Sequence, residues 1–121
     1  MSTQATEKHS EAEYMKKKAS ELIDESVDSD PSRLSEIRVE LTSIKSYFSE
    51  LLTNILVLKA SRLEDLRLEI GSVAGARSKW ASSDEGRNEL IIKNIVERIK
   101  DQSSAIKQRI DVLRDNMYGQ Y

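Results

Sequence analysis

Leucine, isoleucine and phenylalanine form one apolar line along residues 34–70: Leu34, Ile37, Leu41, Ile44, Phe48, Leu51/Leu52, Ile55/Leu56, Leu63, Leu66 and Ile70. Steps of three and four repeat throughout, the spacing that holds side chains on one face of an α-helix. At ~1.5 Å per residue such a helix extends roughly 60 Å. A face of that length cannot be satisfied alone in water, so the chain needs partner helices.

The rest of the composition agrees with long helices. Charged residues make up 33% of the 121 and aromatics only 5%, with one Pro and four Gly. Runs of β-branched and aromatic residues bounded by turns are missing, which disfavours a sheet. The fold class read from the sequence is therefore all-α: a long antiparallel, coiled-coil-like helical hairpin with a short N-terminal helix, assembling into an oligomeric bundle.

Punctuation along the chain gives the boundaries. Residues 1–9 are polar and aperiodic and read as a flexible tail. Ser10 with Glu13 matches a capping box, opening a short helix within 10–28 whose stripe is Ala12, Met15, Ala19, Leu22 and Ile23. Lys16, Lys17 and Lys18 form a solvated basic face. Asp30 then serves as an N-cap, with Pro31 at the first helical position. Gly71 ends the long helix and Ser72 caps the next; a second possible cap lies at Ser82 with Glu85.

Length matching selects the reversal at 71–72. Facing residues then have numbers summing to about 143, so Phe48 meets Ile95, Ile44 meets Ile99, Leu52 meets Ile91, Ile37 meets Ile106 and Leu34 meets Ile110. A reversal near residue 83 would leave Leu34 without a partner. The hairpin is expected over 31–118, with one helix over 72–117 that is at most kinked near Ser82, and a C-terminal tail over 119–121. In this register Lys59 faces Asp84 across the seam, where an unpaired charge would be costly. Arg77 is expected to reach Glu69 or Asp65, and Gln102 also lies on the seam.

Catalytic chemistry finds little footing. His9 is the only histidine and there is no cysteine, so a positioned imidazole, a disulfide framework and thiolate metal ligation are all unsupported. The glycines at 71, 75, 86 and 119 form neither GxGxxG nor a P-loop. No Glu-x-x-His pair is present for a carboxylate-bridged metal in a bundle. The expectation is a non-enzyme with no catalytic residue, cofactor or metal.

Binding features are richer. Val39, Val57 and Leu68 make a thinner second line on the long helix, and Ile92 and Val96 widen the apolar sector of its partner; these five are the candidate oligomer surface. Gly75, Lys79, Ser82, Gly86 and Arg87 near the turn are the candidate partner-binding residues, with Trp80 at the edge of the seam near Leu63. Charge is spread unevenly but without extremes. Residues 1–30 hold eight acids and four lysines (−4), residues 31–71 six of each sign (0), and residues 72–121 nine bases and seven acids (+2). A nucleic-acid-binding domain is usually far more basic. No segment approaches the ~18 apolar residues of a membrane span, and the polar N-terminus lacks the apolar core of a signal peptide. Expected partners are a second copy and another protein, with nucleic acid as an alternative and no membrane, in the cytoplasm.

The stretch GSVAGARSKWASSDE, followed by SSAIKQRIDVLRDNM, resembles small helical proteins of bacteriophage genomes. The residues carrying the likeness are Gly71, Ser72, Val73, Ala74, Arg77, Arg109, Ile110, Asp111, Val112 and Arg114, within about residues 45–117. Gly75 and Ala76 stand where a more charged pair would be expected. The resemblance implies a phage or prophage origin and a bacterial host cytoplasm. Accessory work in replication or recombination, a host-interaction role, or sequestering a ligand to inhibit a host defence system are the functions it leaves open.

Overall fold

The computed structural model describes the backbone of residues 2–118 and the side chains of residues 10–116. Those residues form four helices and no strand: α1 (Ser2–Glu25), α2 (Pro31–Ile70), α3 (Val73–Ser82) and α4 (Asp84–Tyr118). The all-α class is thus observed. α1 begins well before the Ser10–Glu13 cap expected from the sequence, so the segment read as a tail is helical from Ser2 and Ser10 lies inside the helix. The expected tail 119–121 lies outside the described residues.

The chain divides into two compact units. The first takes residues up to Ser46 and from Glu97 onward; the second is Tyr47–Val96. Three helical segments build the first unit: α1, the start of α2 and the end of α4. Ala19 and Leu22 of α1, Leu34, Ile37, Leu41 and Ile44 of α2, and Ile99, Ile106 and Ile110 of α4 are its buried apolar residues. Each set follows helical spacing, so every segment turns one stripe inward.

The α1–α2 connection of this unit is held by polar contacts at helix ends. Asp30 is the N-cap of α2: its Oδ1 accepts from the Arg33 backbone N–H at 2.8 Å and its carbonyl accepts from Leu34 N. Arg33 also holds both oxygens of Glu25, the last residue of α1, and donates to Glu36 at 3.1 Å. That guanidinium holds the Glu25 carboxyl below the ordinary carboxylate range. Arg109 of α4 donates to the carbonyls of Ser26, at 2.8 Å, and of Val27. A cation on the carbonyls just past a helix C-terminus satisfies orphan acceptors and complements the helix dipole.

The second unit contains the rest of α2, the ten-residue α3 and the start of α4. Gly71 ends α2 with φ +85°, the left-handed conformation that glycine adopts without steric penalty. Ser72 follows in extended conformation and caps α3, its Oγ accepting from Gly75 N at 3.0 Å. The predicted break at 71–72 is therefore present. The expectation of one helix over 72–117 is corrected: the chain leaves helical conformation at Ser83 (φ −78°, ψ 164°) and restarts at Asp84.

Ser83 serves both ends. Its backbone N–H (3.0 Å) and its Oγ (2.6 Å) donate to the Trp80 carbonyl, closing α3, while the same Oγ accepts from Gly86 N at 3.1 Å, opening α4. One serine thereby satisfies an acceptor of one helix and a donor of the next. That economy lets a sharp joint replace a continuous helix.

Candidate functional site

The joint at Ser83 interrupts the helix between Trp80 and Glu89, and the polar contacts of the second unit differ from those of a continuous helix. Lys59 does not meet Asp84. Its Nζ lies 2.9 Å from Oε1 and 3.0 Å from Oε2 of Glu89, five positions further along. Asp84 sits in the exposed first turn of α4 and pairs with Arg87. An acid in a first turn is favourable there without a facing lysine, because the helix N-terminus carries partial positive charge. Arg77 reaches neither Glu69 nor Asp65 and has no ion pair or hydrogen bond among the described residues.

Glu89 is the residue that the sequence reading missed. It also accepts from Trp80 Nε1 at 2.8 Å, so one carboxylate joins the end of α3, the middle of α2 and the start of α4. Trp80 is only 4% exposed, and its buried N–H requires such a partner. A signal existed. Glu89 continues, by steps of three and four, the α4 positions Ile92, Val96, Ile99, Ser103, Ile106 and Ile110, so a carboxylate was written into the inward stripe.

Burial raises the cost of charge on Glu89, yet the hydrogen bond from Lys59 and then that from Trp80 outweigh it, holding the carboxyl below its ordinary value of 4.5. A lowered folded-state value means that this stabilisation is complete above the ordinary value and is lost as pH falls through the lower one. Acid titration followed by Trp80 emission, the only tryptophan signal in the chain, is expected to show a transition below pH 4.5. Glu89→Gln is expected to flatten that transition and to cost about 1–3 kcal/mol at neutral pH, since Lys59 loses its partner. An unchanged acid limb in the variant would refute the assignment.

The residues nominated from sequence divide by role. Gly86 is structural. A Cβ built on it would lie 1.9 Å from the Trp80 carbonyl oxygen, so only glycine lets α4 start this close to the end of α3. Gly75 is half-buried, and a Cβ there would crowd Ile70 Cγ2 and Ser72 Oγ at 2.7 Å. Gly86, buried against backbone, is closed to a partner backbone. Ser82 Oγ donates to the Lys79 carbonyl; Lys79 and Arg87 are exposed. On the candidate oligomer surface, Val39, Val57 and Leu68 are exposed, whereas Ile92 and Val96 are half-buried within the packing.

Trp80 separates two concavities of the second unit. One, about 580 Å³, is lined by Lys59, Leu63, Arg77, Trp80, Glu89 and Leu90 among others; the second, about 360 Å³, by Arg62, Leu66, Lys79, Trp80, Ser83 and Glu85 among others. A ring this buried offers little face for base stacking, which weighs against a nucleic-acid platform here. Among the described residues, no three of His, Cys, Asp and Glu gather as metal ligands. In the first unit, Glu40 Oε2 and Ser103 Oγ are buried without a hydrogen-bond partner. No described helix is long and apolar enough to cross a membrane.

The apolar line of α2 runs through both units. On α2, Leu34, Ile37, Leu41, Ile44 and Phe48 are between 0% and 5% exposed. Beyond Phe48 no member of the same line is buried: Leu51, Leu52, Ile55, Leu63 and Leu66 are half-buried, and Leu56 and Ile70 are 45% and 44% exposed. Leu52, Leu56, Leu63 and Ile70 fall at steps of four, seven and seven, one narrow stripe of the helix. The physical cause is the helix inventory, because the first unit has α1 as a third layer while the second has only the ten-residue α3. Compared with known protein families, curated proteins and solved structures, the chain matches no family model, and neither a curated protein nor a solved structure matches it.

Proposed function

We propose that this chain is a non-enzymatic interaction protein: a long antiparallel helical hairpin that self-associates and, so assembled, binds a further macromolecule. The observation that carries the reading is the step in burial along α2 at Phe48. The line Leu52, Leu56, Leu63 and Ile70, half-buried at Leu52 and Leu63 and exposed at Leu56 and Ile70, has near-heptad spacing, the pattern by which helices interlock in coiled coils and bundles. Exposed Leu90 and Ile91 on α4 extend the apolar surface of the same unit. Patches of this kind on soluble proteins mark interaction sites.

Charge favours a second copy as the occupant. Residues 47–96 hold seven bases and seven acids, a net charge of zero, so two such units meet without net repulsion. Three polar groups of the unit, Lys59, Trp80 and Glu89, satisfy one another and fix register, as structural groups do. The resemblance to bacteriophage helical proteins supports a host-interaction or accessory setting in a bacterial cytoplasm.

Leu56→Glu combined with Ile70→Glu tests the reading. Both sites are already nearly half exposed, so the folded chain should keep its helical circular dichroism while its sedimentation mass drops to 13.8 kDa. A variant that associates as the parent does would remove this stripe from the interface.

A further inference from the structure

The concavity of about 580 Å³ beside Trp80 has a size typical of small-molecule sites and carries a definite charge pattern. Its apolar wall comes from Leu63, Trp80 and Leu90. Its charges are mostly spent. Lys59 and Glu89 neutralise each other at 2.9 Å, the second Glu89 interaction goes to the indole N–H, and Arg87 is paired with Asp84. Arg77 is the lining cation without an ion pair or hydrogen bond among the described residues.

We propose that this cleft binds a monoanionic amphiphile, an aromatic or aliphatic carboxylate or sulfonate, with its anionic head on Arg77 and its apolar body against Leu63, Trp80 and Leu90. The inventory discriminates between ligand classes. A cation would find the one lining carboxylate already engaged twice. A neutral apolar ligand would gain the apolar wall but nothing from the exposed guanidinium. A polyanion would find a single uncommitted cation. A planar guanidinium also suits the fork geometry of a carboxylate or sulfonate. The cleft shares Leu63 and Leu90 with the proposed association surface, and the two readings are told apart by Arg77, on which this one rests, and by Leu56 and Ile70, which do not line the cleft.

The probe is 8-anilinonaphthalene-1-sulfonate, a monoanion with an aromatic body, with the uncharged N-phenyl-1-naphthylamine as its control. Energy transfer from Trp80, the single tryptophan, reports binding near the cleft. Saturable binding of the sulfonate to the full chain is expected. Arg77→Gln should weaken it about tenfold or more, the scale of one charge-assisted contact, while leaving the neutral probe unaffected. Arg77→Lys should restore part of the loss, and Lys79→Gln, which lies outside this cleft, should change nothing. Arg77 is exposed, so these variants should keep the parent's circular dichroism. Non-saturable binding overturns the proposal, and so does sulfonate binding that Arg77→Gln leaves intact. Binding abolished by Leu56→Glu with Ile70→Glu but indifferent to Arg77 would assign the probe to the association stripe and overturn it equally.

Discussion

Leu41→Ala is expected to destabilise the first unit by about 2–5 kcal/mol, the range for removing a fully buried leucine and leaving a cavity. Leu41 is 0% exposed and stands between Ile37 and Ile44 on the closed half of the apolar line. Three helical segments converge on that core, so no single neighbour can collapse into the space. The same truncation at Leu56 removes a side chain that still meets solvent, and its cost in the isolated chain should be well below that at Leu41. Urea denaturation followed by circular dichroism measures both. Equal losses at the two positions would mean that the line is sealed along its whole length, against the burial observed.

Gly86→Ala should be the most damaging single change in the second unit. The added methyl meets backbone rather than a flexible side chain: the Trp80 carbonyl oxygen at 1.9 Å, its carbon at 2.8 Å and the Ala81 Cα at 3.0 Å. Helix propensity alone would make alanine better than glycine by ~1 kcal/mol, so propensity and packing predict opposite signs here. Packing wins, because relieving a backbone overlap requires α3 and α4 to separate, and overpacking of this kind costs about 1–3 kcal/mol or more. Separation would also strain the Ser83 bonds and the Glu89 contact to Trp80, so the indole emission should shift together with the loss of stability. Stabilisation by Gly86→Ala would contradict the joint.

What the sequence disclosed depended on the range of the interaction. Local signals read correctly: Asp30 before Pro31 at the start of α2, and Gly71 with Ser72 at its end, because capping and left-handed glycine are properties of a few adjacent residues. The inward line of α2 was equally visible, since periodicity needs no partner to be counted. The joint at Ser83 was harder. The cap read from the sequence, Ser82 with Glu85, lies one residue before the Ser83–Gly86 bond that forms, and α3 and α4 share helical spacing across it, so the joint and a continuous helix differ by one residue's conformation. Placing Lys59 against Asp84 assumed an unbroken partner helix; inserting the joint moved the facing acid to Glu89. Gly86 read as a patch residue because close backbone approach leaves no mark in a sequence except the glycine itself.

The candidate site was legible in outline only. Arg77, Trp80 and Arg87 could be grouped by their nearness to the turn, but which of them would be paired depended on the phase set by Ser83. The division of the apolar line into closed and open halves was not legible at all. It follows from where α1 packs, and the stripe of α1 does not specify which part of α2 it covers.

Sedimentation equilibrium of the unmodified chain at tens of micromolar decides whether the apolar line from Leu52 to Ile70 recruits a second copy. A mass above 13.8 kDa that falls toward that value on dilution is expected. A strict 13.8 kDa monomer across that concentration range would contradict it.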